Sequence, residues 1–274
     1  CGVATTTINI SNFTCANVGA NTVVLTVTDV NGNSSTCTAN VTVRDQVAPV
    51  AICQPVTVDL NAAGTGSISA AQVNNGSSDA CGIATTTLNN SNFTCANVGA
   101  NTVILTVTDV NGNSSTCSSA VTVRDLVAPV AICQPITVDL NAAGTGSITA
   151  NQVNNGSSDA CGIASKSIDN SSFNCSNVAV TNTVVLTVTD VNGNTATCSA
   201  TVTVEDNVAP VAICQNVMVQ LDASGYGNTT AVAVDNGSTD ACGLLPQCPP
   251  HGPMVVCLSG LSLSQTNFTC DNVG

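Results

Sequence analysis

The sequence repeats itself with a period of about 80 residues, and this repeat constrains the fold more than any other feature. A Cys-Gly pair opens similar strings at Cys1, Cys81 and Cys161, and again one residue late at Cys242. A fixed period of this size is typical of an array in which each unit is one small folded module. The fold and function of one module are therefore the first question.

The linkers between modules end in an Ala-Pro pair, at Pro49, Pro129 and Pro210. Proline lacks an N–H group and forces the preceding residue to be extended, so each pair marks a module boundary. The expected segments are a partial repeat at 1–46, complete repeats at 47–126 and 127–207, and a partial repeat at 208–274. The last segment carries an insert near 246–257 with an extra cysteine pair. We expect the sequence to be a window from a longer protein.

Alternation of threonine with aliphatic residues predicts β-strands within each module. Residues 101–108 and 120–124 are predicted to form a hairpin. Residues 50–53 with 56–60 are predicted to form an opening strand, and residues 67–73 another strand. No segment carries a helical pattern. Several short strands in one module predict an all-β fold of tandem immunoglobulin-like β-sandwich repeats, stapled by disulfides and arranged as an extended rod.

Composition indicates an oxidising compartment. The sequence has sixteen cysteines and a single histidine, His251. This composition argues against zinc sites and favours disulfide bonds between the cysteines. Aromatic residues make up only 2%, which leaves a thin core in need of covalent staples. Three basic residues exclude a nucleic-acid partner, and no apolar run is long enough to insert in a bilayer. We therefore expect an extracellular protein.

Several motifs recur in the same order in each module. They are Asp-x-x-Ala-Pro at 45–49, Cys53, Asp-Ala-Cys-Gly at 79–82, Thr-Asp-x-Asn-Gly-Asn at 108–113, Cys117 and Val-x-Val-x-Asp at 121–125. This series resembles the hyalin-repeat family, and in particular the versions found in long arrays on giant cell-surface and secreted adhesins of gliding bacteria. The resemblance implies an immunoglobulin-like fold, a role in adhesion or cell-surface architecture at the bacterial surface, and no catalytic residues.

Cysteine pairing follows from strand order. The four cysteines of a complete repeat, Cys53, Cys81, Cys95 and Cys117, allow three pairings. In an immunoglobulin-like order the first and last strands start near the same pole, which favours Cys53 with Cys117 and leaves Cys81 with Cys95. The expected set is Cys1–Cys15, Cys53–Cys117, Cys81–Cys95, Cys133–Cys198, Cys161–Cys175, Cys242–Cys270 and Cys248–Cys257, with Cys37 and Cys214 unpaired.

The acidic residues suggest a metal. The formal net charge is −13, and fifteen of the sixteen acids are aspartates, most of them at recurring positions; Glu205 is the exception. In the expected fold, Asp45, the loop 74–79 and the turn 109–113 converge where one repeat meets the next. Hard oxygen ligands of this kind suit Ca²⁺. The candidate ligands are Asp29, Asn31, Asn33, Asp45, Asp79, Asp109, Asn111, Asn113, Asp125, Asp159, Asp190, Asn192, Asn194, Asp206 and Asp240.

An interpretation without metal stays open beside this one. Asn-Gly is a strong hairpin signal that requires no ion, and Asp45 or Asp79 could simply cap a turn by accepting hydrogen bonds from nearby amides. The string at 109–120 resembles the start of an EF-hand loop, but its glycine is misplaced and Ala120 stands where a glutamate is needed.

Two functions follow from these expectations. In the first, the segment is the stalk or fibre of an extracellular bacterial adhesin, not an enzyme, and its partners are the neighbouring repeats of the same longer chain. In the second, copies of the chain assemble into an extracellular filament or sheath. A weaker third option is a spacer in a secreted enzyme. The sequence does not identify a surface or glycan ligand.

Overall fold

The computed structural model describes residues 2–243 and 267–268. The chain divides into two compact units, Cys1–Val127 and Ala128–Gly274. The described part is dominated by β-strands, so the all-β prediction is confirmed. Its α-helices are single turns of four residues. None of the helices described is long and apolar enough to cross a membrane.

The first unit begins with a three-stranded antiparallel sheet from the leading half-repeat. Its strands are β1 (Val3–Ile8), β2 (Gly19–Asp29) and β3 (Ser34–Val43), in that spatial order. A single 3₁₀ turn, Cys15–Asn17, lies between β1 and β2. Most side chains of this sheet are at least partly exposed, and Val23 is buried.

A complete repeat follows in the same unit. Its elements are β4 (Val56–Asp59), β5 (Thr65–Ser67), α1 (Ala70–Val73), β6 (Ile83–Leu88), β7 (Asn92–Thr94), a 3₁₀ turn (Cys95–Asn97), β8 (Gly99–Asp109) and β9 (Ser114–Arg124). The large sheet has the order β4-β9-β8-β6, and β5 pairs with β7 in a second, small sheet. Strands β8 and β9 form the predicted hairpin, and β4 runs parallel to β9, so the first strand lies beside the last.

The second unit repeats this arrangement. Its elements are β10 (Ile136–Asp139), β11 (Thr145–Ser147), α2 (Ala150–Val153), β12 (Ile163–Ile168), β13 (Ser172–Asn174), a 3₁₀ turn (Cys175–Asn177), β14 (Asn182–Asp190), β15 (Thr195–Glu205), β16 (Gly227–Asn228), α3 (Ala231–Val234) and β17 (Asn267–Phe268). The large sheet has the order β10-β15-β14-β12, and β11 pairs with β13. Strands β16 and β17 also pair.

Each repeat is a sandwich because residues from both sheets share one core. In the second unit, Phe173 from the small sheet packs in the same cluster as Val184 and Leu186 from the large sheet. Val153 of α2 closes this cluster and is fully buried. Inward and outward side chains alternate along β14, as the period-2 pattern predicts.

The predicted strand over residues 67–73 is wrong. Strand β5 ends at Ser67, and the chain then turns into helix α1. Ser69 caps this helix: its backbone N–H donates to Gln72 Oε1 at 2.8 Å, and its Oγ accepts from the Gln72 N–H at 3.4 Å. A Ser-x-x-Gln capping box therefore stabilises a helical turn despite the local β pattern. Val73 of this helix is buried in the core.

The opening strand is shorter than predicted. Strand β4 covers only Val56–Asp59, whereas Val50 and Cys53 make isolated bridges to Ser78 and Asn74. Residues before β4 are held instead by side chains of β9, for example by the Ser119 hydroxyl, which donates to the Gln54 carbonyl.

A complete repeat has two distinct ends. We call the end with the β8–β9 turn the entry pole; there β6 begins, with Ile83 opposite Asp109. We call the other end the exit pole; there β4 and β9 finish side by side, with Asp59 opposite Arg124. Cys95 lies at the exit pole, where its Sγ is 3.7 Å from the Gly64 carbonyl in the turn after β4.

Candidate functional site at the repeat junction

The bridges within each repeat agree with the sequence. Cys53 is joined to Cys117 and Cys133 to Cys198, with Cα–Cα distances of 5.9 and 5.8 Å. Both follow from the parallel pairing of the first and last strands, β4 with β9 and β10 with β15. As expected, Cys37 and Cys214 are free, and both are exposed.

The remaining pairings correct the prediction, because these bridges join successive repeats. Cys15 of the leading half-repeat is bonded to Cys81 of the next repeat, and Cys175 is bonded to Cys242. The predicted bridges Cys81–Cys95, Cys161–Cys175, Cys1–Cys15 and Cys242–Cys270 are therefore wrong. Cys95 and Cys161 are also disulfide-bonded. The predicted Cys248–Cys257 bridge and the insert near 246–257 lie outside the described residues.

The physical reason is the length of β6. Cys81 lies at the entry pole just before this strand, and Cys95 lies at the exit pole. Six residues of strand span about 20 Å, whereas a disulfide needs Cα atoms within about 7 Å of each other. The signal was present in the sequence, since the strand-like run 83–88 separates the two cysteines. Sequence reasoning missed it by considering bridges only within one repeat.

Two aspartates meet at the entry pole of the first complete repeat. Carboxylate oxygens of Asp45 and Asp79 and the Cys81 sulfur all lie within 4.8 Å of one another. The Asn113 side-chain amide donates to the Asp45 carbonyl at 3.3 Å, which ties the linker to the β8–β9 turn. The structure thus brings together the linker, the loop and the turn that the sequence placed at one pole. The Cys81 sulfur is in a disulfide, so it is not a thiolate ligand.

Each of these aspartates also serves a turn. Asp45 Oδ1 accepts from the Val47 N–H at 3.0 Å, and Asp79 Oδ1 accepts from the Cys81 N–H at 2.7 Å. Asp45 Oδ2, by contrast, is buried without any hydrogen-bond partner. A buried carboxylate oxygen with no donor is costly, and it is the feature of this junction that turn chemistry leaves unexplained.

The second unit contains the same pair at its later junction. Oxygens of Asp206 and Asp240 lie within 4.8 Å of each other and of the Cys242 sulfur, which is bonded to Cys175. Asp206 accepts from the Val208 N–H and Asp240 from the Cys242 N–H, in the same turns as their counterparts.

Two further candidates make the same turns, one in each unit. Asp125 is buried and accepts from the Val127 N–H at 3.1 Å. Asp159 accepts from the Cys161 N–H at 2.7 Å.

The aspartates that begin the hairpin turns are satisfied within the turns. Asp109 Oδ1 accepts from the N–H groups of Asn111 and Asn113, and its Oδ2 accepts from the Asn113 side chain at 2.7 Å. Burial raises the pKa of Asp109, but these hydrogen bonds together hold it below the usual value. Asp29 with Asn31 and Asn33, and Asp190 with Asn192 and Asn194, repeat these bonds. These groups act as turn-formers in the structure.

No protein-family model and no curated protein matches this sequence. Among solved structures, the chain is similar to a protocadherin gammaB7 EC3-6 cis-dimer, with 15% identity, 76% of this chain and 63% of that chain covered, and a TM-score of 0.31. It is also similar to titin domains I67-I69, with 10% identity, 68% and 75% coverage, and a TM-score of 0.29. The chain spans less than two thirds of the length of that protocadherin chain. The fold assignment rests on the strand order and the shared core described above.

Proposed function

We propose that this chain is a structural, adhesion-type repeat segment of an extracellular protein, one that spans distance and positions binding modules elsewhere. The observation that carries the proposal is the covalent joining of successive repeats by Cys15–Cys81 and Cys175–Cys242. A covalent bond between repeats limits their relative motion. Such a bond suits a segment that spans distance and resists mechanical and proteolytic damage. Disulfides in this number also favour an extracellular location.

The finer parts of this proposal rest on the sequence motifs. They are the division into repeats at 1–46, 47–126, 127–207 and 208–274, the hyalin-repeat relationship, the bacterial surface location and the extended rod. In this proposal the segment is a stalk without enzymatic activity, and association of copies into a filament is the second candidate.

Solution scattering on the oxidised full chain tests the stalk proposal. A compact globule of 274 residues has a radius of gyration of about 19 Å, and we expect a clearly larger value. A radius near that of the globule, or substrate turnover that maps inside the repeats, would contradict the proposal. Sedimentation velocity over a range of concentrations decides the second candidate, because a filament subunit forms larger species as concentration rises.

We further propose that the Asp45–Asp79 pair binds Ca²⁺. Two carboxylates close together repel each other, and the buried Asp45 Oδ2 has no donor to satisfy it. A hard cation removes both costs, and Ca²⁺ accepts the irregular oxygen geometry that a junction offers. Asp206 and Asp240 are the equivalent pair in the second unit. The disulfide sulfurs and the hairpin-turn aspartates are not needed as ligands.

Calorimetric titration of the full chain with Ca²⁺ tests this site. The double variant D45N/D79N should lose one equivalent of bound Ca²⁺, since two of the oxygen ligands lose their charge. D169N is the matched control: Asp169 accepts from the Val185 N–H, and Asn89 makes the same bond to Ile104 in the preceding repeat. If D45N/D79N and D169N bind Ca²⁺ like the parent chain, the Asp45–Asp79 pair is only a turn.

A further inference from the structure

The junction disulfides bypass long stretches of the chain. The Cys15–Cys81 bond joins residues 66 apart in sequence, and the Cys175–Cys242 bond joins residues 67 apart. At roughly 3.3–3.6 Å per extended residue, each bond removes about 220–240 Å of chain that could otherwise be pulled out.

The bypassed stretch contains every element that connects one repeat to the next. Between Cys15 and Cys81 lie the β2–β3 hairpin, the linker with Asp45, the first strand β4, the strand β5 and helix α1. The Asp45–Asp79 pair is inside the stretch as well. Tension that pulled directly through this stretch would peel β4 from β9 and open the linker.

The bridge within the repeat is placed differently. Cys53 lies inside the bypassed stretch and Cys117 beyond it, and both belong to the same repeat. This bond fastens the first strand to the last strand of one sandwich, so it does not shorten the covalent path between Cys15 and Cys81.

We propose that the junction disulfides transmit mechanical tension from one repeat to the next in this segment. Tension between the leading half-repeat and β6 passes from Cys15 through the disulfide to Cys81, so residues 16–80 stay slack and folded. Cys175 and Cys242 do the same in the second unit. This inference rests on the proposed structural role and adds how force travels through the segment.

Single-molecule pulling on the oxidised full chain tests the bypass. Azide-bearing residues at the exposed positions Ser11 and Ala84 provide attachment points without adding cysteines. With the bond intact, the path between the handles contains only residues 12–15, the disulfide and residues 81–83, so its length should not exceed about 30 Å. In the variant C15S/C81S, the length released should rise by about 66 residues, or about 220–240 Å.

The variant C53S/C117S is the matched control, because its bridge closes a loop of nearly equal size, with a sequence separation of 64. It should keep the short extension of the parent chain. Reductant added to the already folded parent during pulling should reproduce the long extension, which covers the case in which C15S/C81S does not fold. A long extension of the oxidised parent chain, or equal extensions of the two variants, would overturn the proposal that the junction disulfide transmits the tension. Neither result would touch the stalk proposal, which the scattering measurement tests separately.

Discussion

At the scale of single residues, the aspartate that opens each hairpin turn is both buried and charged. Asp109 and Asp190 are each 1% exposed, and their carboxylates accept hydrogen bonds from the asparagine four residues later. Burial raises their pKa, but the hydrogen bonds outweigh it and hold the pKa below the usual 3.8. Their ionised forms therefore stabilise the folded chain.

This arrangement predicts how stability depends on pH. The ionised carboxylate stabilises the fold in full at pH values above the pKa of the unfolded state, near 3.8. This contribution is lost as the pH falls through the lower pKa of the folded state. Thermal melting between about pH 2 and 6 should thus give a Tm that drops at the acid end. The variant D109N/D190N should melt lower at pH 6 and lose part of the acid dependence, whereas D169N should retain it. Parallel pH curves for the parent and D109N/D190N would contradict this reading.

Gly66 is another residue with a specific role, because β5 crosses β4 closely there. A β-carbon added at Gly66 would lie 2.5 Å from Val58 Cγ1 and 3.3 Å from Leu60 Cδ2. Both neighbours are buried, so G66A should lower the free energy of unfolding by about 1–3 kcal/mol through overpacking. G2A is the control, since nothing lies within 4 Å of its added carbon. Chemical denaturation that finds the two variants equal would argue against this close approach.

At the scale of elements, the parallel pairing of first and last strands differs between the two complete repeats. Asp59 on β4 faces Arg124 on β9, with N–O distances of 2.7 and 3.0 Å. In the second unit Asp139 faces Glu205, and Asn207 donates to both carboxylates. The second repeat thus places like charges opposite each other across one edge of its sheet.

Replacing Glu205 by arginine should give the second repeat the pairing of the first. E205R is expected to raise its free energy of unfolding by about 0.5 kcal/mol, a small gain because exposed ion pairs are weak. E205Q separates relief of repulsion from the new ion pair. Urea denaturation at low and high salt should find the excess of E205R over E205Q only at low salt. No difference between the variants at low salt would contradict the pairing argument.

The elements that the sequence predicted well are those specified by local periodicity. Strands β8 and β9 follow from alternating threonine and aliphatic residues, and Cys53–Cys117 follows from the order of the strands. Helix α1 was missed because the capping pair Ser69 and Gln72 outweighs four residues of β pattern. The junction bonds were missed because Cys15–Cys81 depends on which poles of successive repeats meet. The buried Asp45 oxygen could not be foreseen, because burial depends on packing across the linker.

At the scale of the whole molecule, stability depends on bridges as much as on the core. Phe93 is the buried aromatic residue of the first complete repeat, where a typical sandwich has several. On the chain-entropy model, closing a loop with a separation of 64 residues is worth about 4 kcal/mol, a large part of the usual stability of a domain.

Removal of that bridge should therefore unfold one repeat selectively. In C53S/C117S, hydrogen exchange should lose protection in peptides covering 99–124, while peptides covering 182–205 keep theirs. The second complete repeat thus serves as a control within the same chain, because its own Cys133–Cys198 bond is untouched. Unchanged protection of 99–124 would mean that the thin core suffices alone.

The overlap of the two kinds of bridge also affects how the protein matures. Cys53 lies between Cys15 and Cys81, and Cys81 lies between Cys53 and Cys117, so the two loops interlock in sequence. As the chain is synthesised from its amino end, Cys15 meets Cys37 and Cys53 before its native partner exists. Any bond formed in that interval must be undone by thiol–disulfide exchange. Maturation of such an array therefore depends on disulfide exchange as well as on oxidation, and the number of possible wrong pairings grows with every repeat added.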